Sequence, residues 1–328
     1  MKRIAALIPA ALAVASALAG PLAAGDDAFS LVPPDAAAVG MIRIADLRSS
    51  PLFERVFAET DRISGDAEAA RFLEEVRLNP KQDVDLVVVA GSPKGASPGR
   101  GFAAFEGRFD AAKLAAATAS RGGVVKSVPG GDYYLLPGHR REGSSRETGA
   151  VAFLSNRLIV AGNETSVVQA LARRAAGGSG FASGAGLGAS LSRVDTKASA
   201  WALVDVARMP ARDRRRDPAA HRGDASHAVV SAMSSVSLVA LSATTDGDAL
   251  MLSATGVSDD AELRQDLEDA VRGVLAMWRM SVQEKQPNLV PVLRRFKVTE
   301  GRDSVTLSGT LPGPVIRELA ARKERMAN

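Results

Sequence analysis

The chain contains no cysteine, which removes disulfide staples, thiolate metal ligands and a lipid-modified N-terminal cysteine at once. Histidine is nearly as scarce: His139, His221 and His227 are the three, each in a polar, loop-like segment that also carries arginine and glycine, and they read as surface residues. There is no H-E-x-x-H, no acidic loop with EF-hand spacing, no G-K-[ST] and no G-x-S-x-G in a strand-to-helix frame, so zinc, calcium, P-loop and nucleophile-elbow chemistry find no support. Aromatics make up 4% of the chain. That leaves no row of stacking platforms for single-stranded nucleic acid or for sugars. Beyond the N-terminus no apolar run reaches membrane-spanning length.

What is present begins at residue 1. Lys2 and Arg3 form a short positive region, and Ile4 to Leu18 is an apolar run of the length of a secretory signal, short for a membrane span. Ala17-Leu18-Ala19 puts small residues at −3 and −1, which favours cleavage after Ala19, with cleavage after Ala24 as the weaker site and an uncleaved anchor as the other reading. Losing Lys2 and Arg3 takes Lys+Arg from 41 to 39 against 37 Asp+Glu, a net of +2, so global charge selects no polyanionic partner. A cysteine-free exported chain of this length suits the bacterial periplasm, with a core large enough to need no covalent staples.

Along the mature chain, β-rich apolar runs alternate with helical spacing. Ala37 to Ala45, Val84 to Ala90 and Gly101 to Gly107 read as strands. Val84 to Ala90 is apolar without alternation and is expected to be buried on both faces. Ser50-Pro51 opens a helix, Phe72, Leu73 and Val76 share the face of another, and Asp110 caps a third. Val124 to Val128 and Tyr133 to Leu136 flank Pro-Gly-Gly-Asp as a hairpin. Gly149 to Arg174 then reads as strand, Asn156-Arg157 turn, strand and amphipathic helix, with Asn163 as its N-cap rather than a glycosylation site. Residues 177–192, opening GGSGFASGAGLG, form a glycine-rich linker and place a domain boundary.

Past the linker the pattern returns in the same order. Val39 to Leu47 matches Trp201 to Met209, Val84 to Ala90 matches Val236 to Ser242, Glu106 to Leu114 matches Thr255 to Leu263, and the hairpin-helix matches Phe296 to Lys323. The offsets are 162, 152, 149 and about 147 residues. In this match Gly162 aligns with Gly309, each read as a junction before a helix. A longer helix starts from an Asp259–Glu262 capping box and carries Leu263, Leu267, Val271, Val274, Leu275 and Trp278 as one apolar stripe. The expectation is an α+β class: two related β-α-β-β-α-β-β-α units, 26–176 and 193–326, each a ferredoxin-like variant with mainly antiparallel sheet and helices on one face.

Arg212, Arg214, Arg215 and Arg216 form the one local basic patch. It is a candidate contact for anionic lipid headgroups or an acidic partner, partly neutralised by Asp213 and Asp217. His221 and His227 with Asp217 and Asp224 make a poor cation site because Arg214, Arg215, Arg216 and Arg222 surround them. A pair of carboxylates for glycoside hydrolysis is not selected either. Asp110 and Asp259 read as caps, and Glu74, Glu75, Glu268 and Asp269 as exposed helix faces.

The signal, LVPPDAAAVGMIRIADL (31–47), LNPKQDVDLVVVAG (78–91) and the repeated hairpin-helix together resemble a group of uncharacterised exported bacterial proteins. The resemblance implies an envelope location and a two-copy α+β fold, and it brings no activity and no site residue. The expected function is a non-enzymatic periplasmic binding or scaffolding module, without metal or cofactor and without a nucleic-acid partner. An envelope hydrolase and a peripheral membrane protein using Arg212 to Arg216 are the alternatives.

Overall fold

The computed structural model describes residues 26–48, 50, 67–91, 101–137, 149–178, 181, 186–208, 236–285 and 287–318. Among the described residues twelve strands form one sheet: β1 (Ala38–Arg43), β2 (Val84–Gly91), β3 (Gly101–Gly107), β4 (Val124–Val128), β5 (Gly131–Leu135), β6 (Gly149–Ser155), β7 (Leu158–Asn163), β8 (Ala200–Asp205), β9 (Leu238–Asp246), β10 (Ala249–Val257), β11 (Lys297–Glu300) and β12 (Ser304–Leu311). Their order is β11-β12-β10-β9-β8-β1-β2-β3-β7-β6-β5-β4, and every pairing is antiparallel. The helices are α1 (Asp26–Ser30), α2 (Ile44–Leu47), α3 (Ala67–Val76), α4 (Pro80–Asp83), α5 (Ala111–Ser120), α6 (Glu164–Ala175), α7 (Ala261–Lys285) and α8 (Leu289–Arg294). A further helical stretch, α9, covers 313–318.

The α+β class holds, dominated by a large antiparallel sheet. Its strand order is not ferredoxin-like. In a split β-α-β arrangement the crossover strands are parallel, whereas β1 lies between β2 and β8 and is antiparallel to both.

Helices cover both faces of the first half, not one. On β2, Leu86, Val88 and Ala90 belong to one buried cluster while Val87 and Val89 belong to another, as the two-residue period of a strand requires. The first cluster, on what we term the near face, includes Val167, Ala170 and Leu171 of α6 and Ala28 of α1. The second, on the far face, includes Leu114 and Ala117 of α5 and Leu47 of α2. In the second half the far face is covered by α7 and α8 through Leu267, Leu275, Val282, Leu289 and Val292.

One register row crosses ten strands on the near face. Running from β6 to β11 it reads Ala152, Val160, Ala104, Val88, Met41, Trp201, Ser242, Ser253, Ser308, Lys297. The neighbouring row reads Ala150, Gly162, Phe102, Ala90, Val39, Leu203, Ala240, Thr255, Thr306, Thr299. Both rows are apolar through the first half and turn to hydroxyl-bearing residues beyond β8 or β9. Trp201 sits where they change, buried, with Phe29 set edge-on against it at 5.6 Å and against Phe181 at 5.3 Å.

Local expectations fare unevenly. The hairpin over 124–135 and the caps Asp110 and Asn163 form as expected, each cap accepting from the N–H three residues on. The long helix is capped one residue later than expected: Asp260, not Asp259, accepts from the Glu262 and Leu263 N–H groups. Gly162 and Gly309 lie within strands rather than at helix starts. A Cβ on Gly162 would stand 2.4 Å from the Gly101 carbonyl oxygen, and one on Gly309 2.5 Å from the Phe296 ring, so close approach demands them. In the glycine-rich segment, Phe181 and Leu187 are buried in the near-face core, so its described part packs against the sheet.

Candidate functional site

Arg212, Arg214, Arg215 and Arg216 lie outside the described residues, as do His139, His221 and His227. Among the described residues no group of three His, Cys, Asp or Glu side chains is gathered as a metal site would require.

An open cleft of about 590 Å³ lies at one end of the sheet, lined by Asp85, Gly107, Arg108, Phe109, Asp110, Asn156 and Arg157. Its polar groups hold the protein together. Arg48 donates to Asp85 at 2.6 Å and to the carbonyls of Lys81 and Val84 at 2.8 and 2.5 Å. Arg108 lies 3.6 Å from Asp85 and donates to the Gln82 carbonyl. Asn156 accepts from the Ala111 N–H and Asp110 from that of Lys113, so both serve the start of α5. Gly107 is required there, since a Cβ would fall 1.9 Å from the Asp83 oxygen. The cleft is a brace between strand ends and a helix start.

A second cluster joins the β4–β5 hairpin to α6. Glu164 Oε1 accepts from Lys126 Nζ at 2.9 Å and from the Tyr133 hydroxyl at 2.8 Å. The bond from Lys126, then that from Tyr133, holds the Glu164 carboxyl below the usual glutamate range. Burial, then the carboxylate beside it, pushes the Tyr133 phenol up. A phenol raised in this way stays protonated and donates; it is not a base at neutral pH. This cluster is a clasp.

The acids read as exposed helix faces divide. Glu74, Glu75 and Asp269 are exposed, but Glu268 is buried and paired with Arg272 at 2.5 Å.

Two unfilled surfaces belong to the second half. On the near face the buried cluster reaches no further than Leu238, Ala240 and Val257. Beyond it, Ser242, Ser253, Ser308 and Thr306 are half-buried and Lys297 and Thr299 exposed, with Thr255 and Thr306 hydroxyls 2.9 Å apart. On the far side, α7 does not bury the single stripe expected of it. Leu267, Leu275 and Val282 face the sheet, Arg264 donates to the Ser258 carbonyl and Arg279 to that of Leu293. Leu263, Met277 and Trp278 stay exposed at 37, 40 and 47%, and Met280 at 63%. At about 100° per residue, Leu263, Val274 and Met277 lie to one side of the buried arc, Trp278 falls within its angular span, and Met280 is about 160° round the helix from Trp278. Met277 and Met280 were missed in the sequence because a lone methionine carries no periodic signal. Their exposure is visible only in the fold.

No family model matches the chain, and no curated protein matches it. Among solved structures, crystal form III of TP0453 aligns over 92% of this chain and 100% of its own, with a TM-score of 0.50 at 10% identity. Crystal form I of the same protein gives a TM-score of 0.45 at 11% identity, over 92% and 99% of the two chains. What this chain is similar to, at that identity, is the fold of TP0453.

Proposed function

We propose that this chain is an exported, non-enzymatic binding module built from two related α+β units, 26–176 and 193–326, and that it takes a protein partner on the exposed flank of α7. The observation that carries the reading is Trp278, 47% exposed next to the 40% exposed Met277 on a helix that already buries Leu267, Leu275 and Val282. An amphipathic aromatic with a methionine next to it gives a partner large apolar contact at low entropic cost.

Two strand orders support the duplication. The first half runs β1-β2-β3-β7-β6 outward from the centre and the second β8-β9-β10-β12-β11. The halves meet through β1 and β8, in register about Gly40 and Ala202. Flanking that register, the Arg43 N–H donates to the Ser199 carbonyl and the Asp205 N–H to that of Ala37, a pair that exchanges under a 162-residue offset. Isologous pairing of two copies has this form. Export rests on Lys2, Arg3 and the apolar run to Leu18. Cleavage after Ala19 spares α1, whose Ala28 is fully buried and donates its N–H to Glu106 at 2.8 Å.

The test compares the mature chain with Trp278→Asp as bait in an envelope extract, after matching their melting temperatures. Capture of one partner by the wild type, weakened at least about tenfold in the variant, is the expected result for an anchor residue. Equal capture by both, or hydrolytic turnover abolished by changing a single polar residue elsewhere, overturns the reading.

A further inference from the structure

The two edges of the sheet are defended differently. Every edge strand presents unpaired N–H and C=O groups, and natural sheets protect such edges with brevity, charge or a covering element. At one edge β11 is four residues long, Lys297–Glu300, charged at both ends, and α7 packs beside it. At the other, β4 is five residues, VVKSV, with Val124 59% and Val125 54% exposed. Its one charge, Lys126, is held at 2.9 Å on Glu164 of the same molecule. The residue that would repel an incoming strand is therefore neutralised in place. Val124 and Val125, adjacent in sequence, point to opposite faces of the sheet.

We propose that β4 is a self-association edge, where two copies of this chain pair antiparallel and continue the sheet from one molecule into the next. The occupant is a second copy for three reasons. Isologous pairing is the commonest way soluble chains oligomerise. The edge carries no net charge once Lys126 is paired, so like meets like without repulsion. The β1–β8 junction shows the same antiparallel geometry already joining the two halves within one molecule. A register that sets Val125 opposite Val125 places Val124 across from Lys126 and keeps the two lysines off one another, giving one apolar Val125–Val125 pair at the centre of the seam.

The experiment is sedimentation velocity of the mature chain from micromolar to hundreds of micromolar concentration, with Val125→Lys, Val125→Thr and, as the control at the opposite edge, Thr299→Lys. Circular dichroism reports that each is folded. The expected result is a concentration-dependent dimer whose dissociation constant rises at least about tenfold in Val125→Lys, rises less in Val125→Thr, and is unchanged in Thr299→Lys. Val125→Thr keeps a strand-compatible shape, so it reads the edge even where the lysine variant fails to fold. A monomer at every concentration, whatever else the edge binds, or a dimer indifferent to both Val125 variants, overturns the proposal.

Discussion

The near face of the sheet is two surfaces under one backbone. In the first half its central row is Val88, Ala104, Val160 and Ala152, all fully buried beneath α6 and the N-terminal segment. In the second half the same row continues as Ser242, Ser253, Ser308 and Lys297, half-buried to exposed. Strand direction, spacing and register carry on unbroken between them. Backbone pairing alone therefore does not decide what a sheet face does. The side chains that alternate onto it do, and a face of hydroxyls is soluble where a face of valines must be covered. The second half keeps its apolar surplus elsewhere, on the flank of α7.

That contrast can be broken from either end. The largest effect is expected at Val88→Ser, which leaves a cavity and buries a hydroxyl under α6; unfolding free energy should fall by roughly 2–4 kcal/mol. The mirror change, Ser242→Val, should move stability within about 0.5 kcal/mol, because its site is neither sealed nor wholly wet. Denaturant midpoints of the two variants measure both. Comparable losses in the two would mean that the second-half face is packed like the first.

A smaller effect tests the clasp that belongs to the first half alone. Glu164 has its folded pKa lowered by Lys126 and Tyr133. It therefore contributes stability above the ordinary glutamate range, lost as pH falls through its lower folded value. Glu164→Gln should melt slightly earlier than wild type at neutral pH, with the gap closing as the pH drops below that window. A gap that persists unchanged in acid would show that the carboxylate charge plays no part.

Much of the secondary structure is legible in the sequence because it is locally encoded. Val84 to Ala90 declares a strand covered on both sides, and Asp110 and Asn163 announce their helices by the side-chain oxygen an N-cap needs. Where two candidates stand together, as at Asp259-Asp260, the choice depends on where the preceding strand releases the chain, which local patterning does not encode. Gly162 and Gly309 look like junctions in sequence, yet they are demanded by the Gly101 carbonyl and the Phe296 ring, neighbours brought in by the fold. The hydroxyl rows were in view as alternation in Ser253, Thr255 and Ser304, Thr306, Ser308, Thr310, but that they share one face with Val88 follows only from strand order. The α7 flank was hidden for a related reason. Leu263, Val274 and Trp278 have helical spacing with Leu267 and Leu275, and only the width of the sheet beneath decides which of them it covers.

The central claim, that the second half carries the binding surface on α7, is tested most directly by the two tryptophans. Trp201 is 2% exposed and Trp278 47%, so acrylamide should quench one and spare the other in the free protein. Adding the captured partner should remove the quenchable fraction and shift its emission to the blue, leaving Trp201 unchanged. A bound partner that leaves Trp278 as accessible as before would contradict the account.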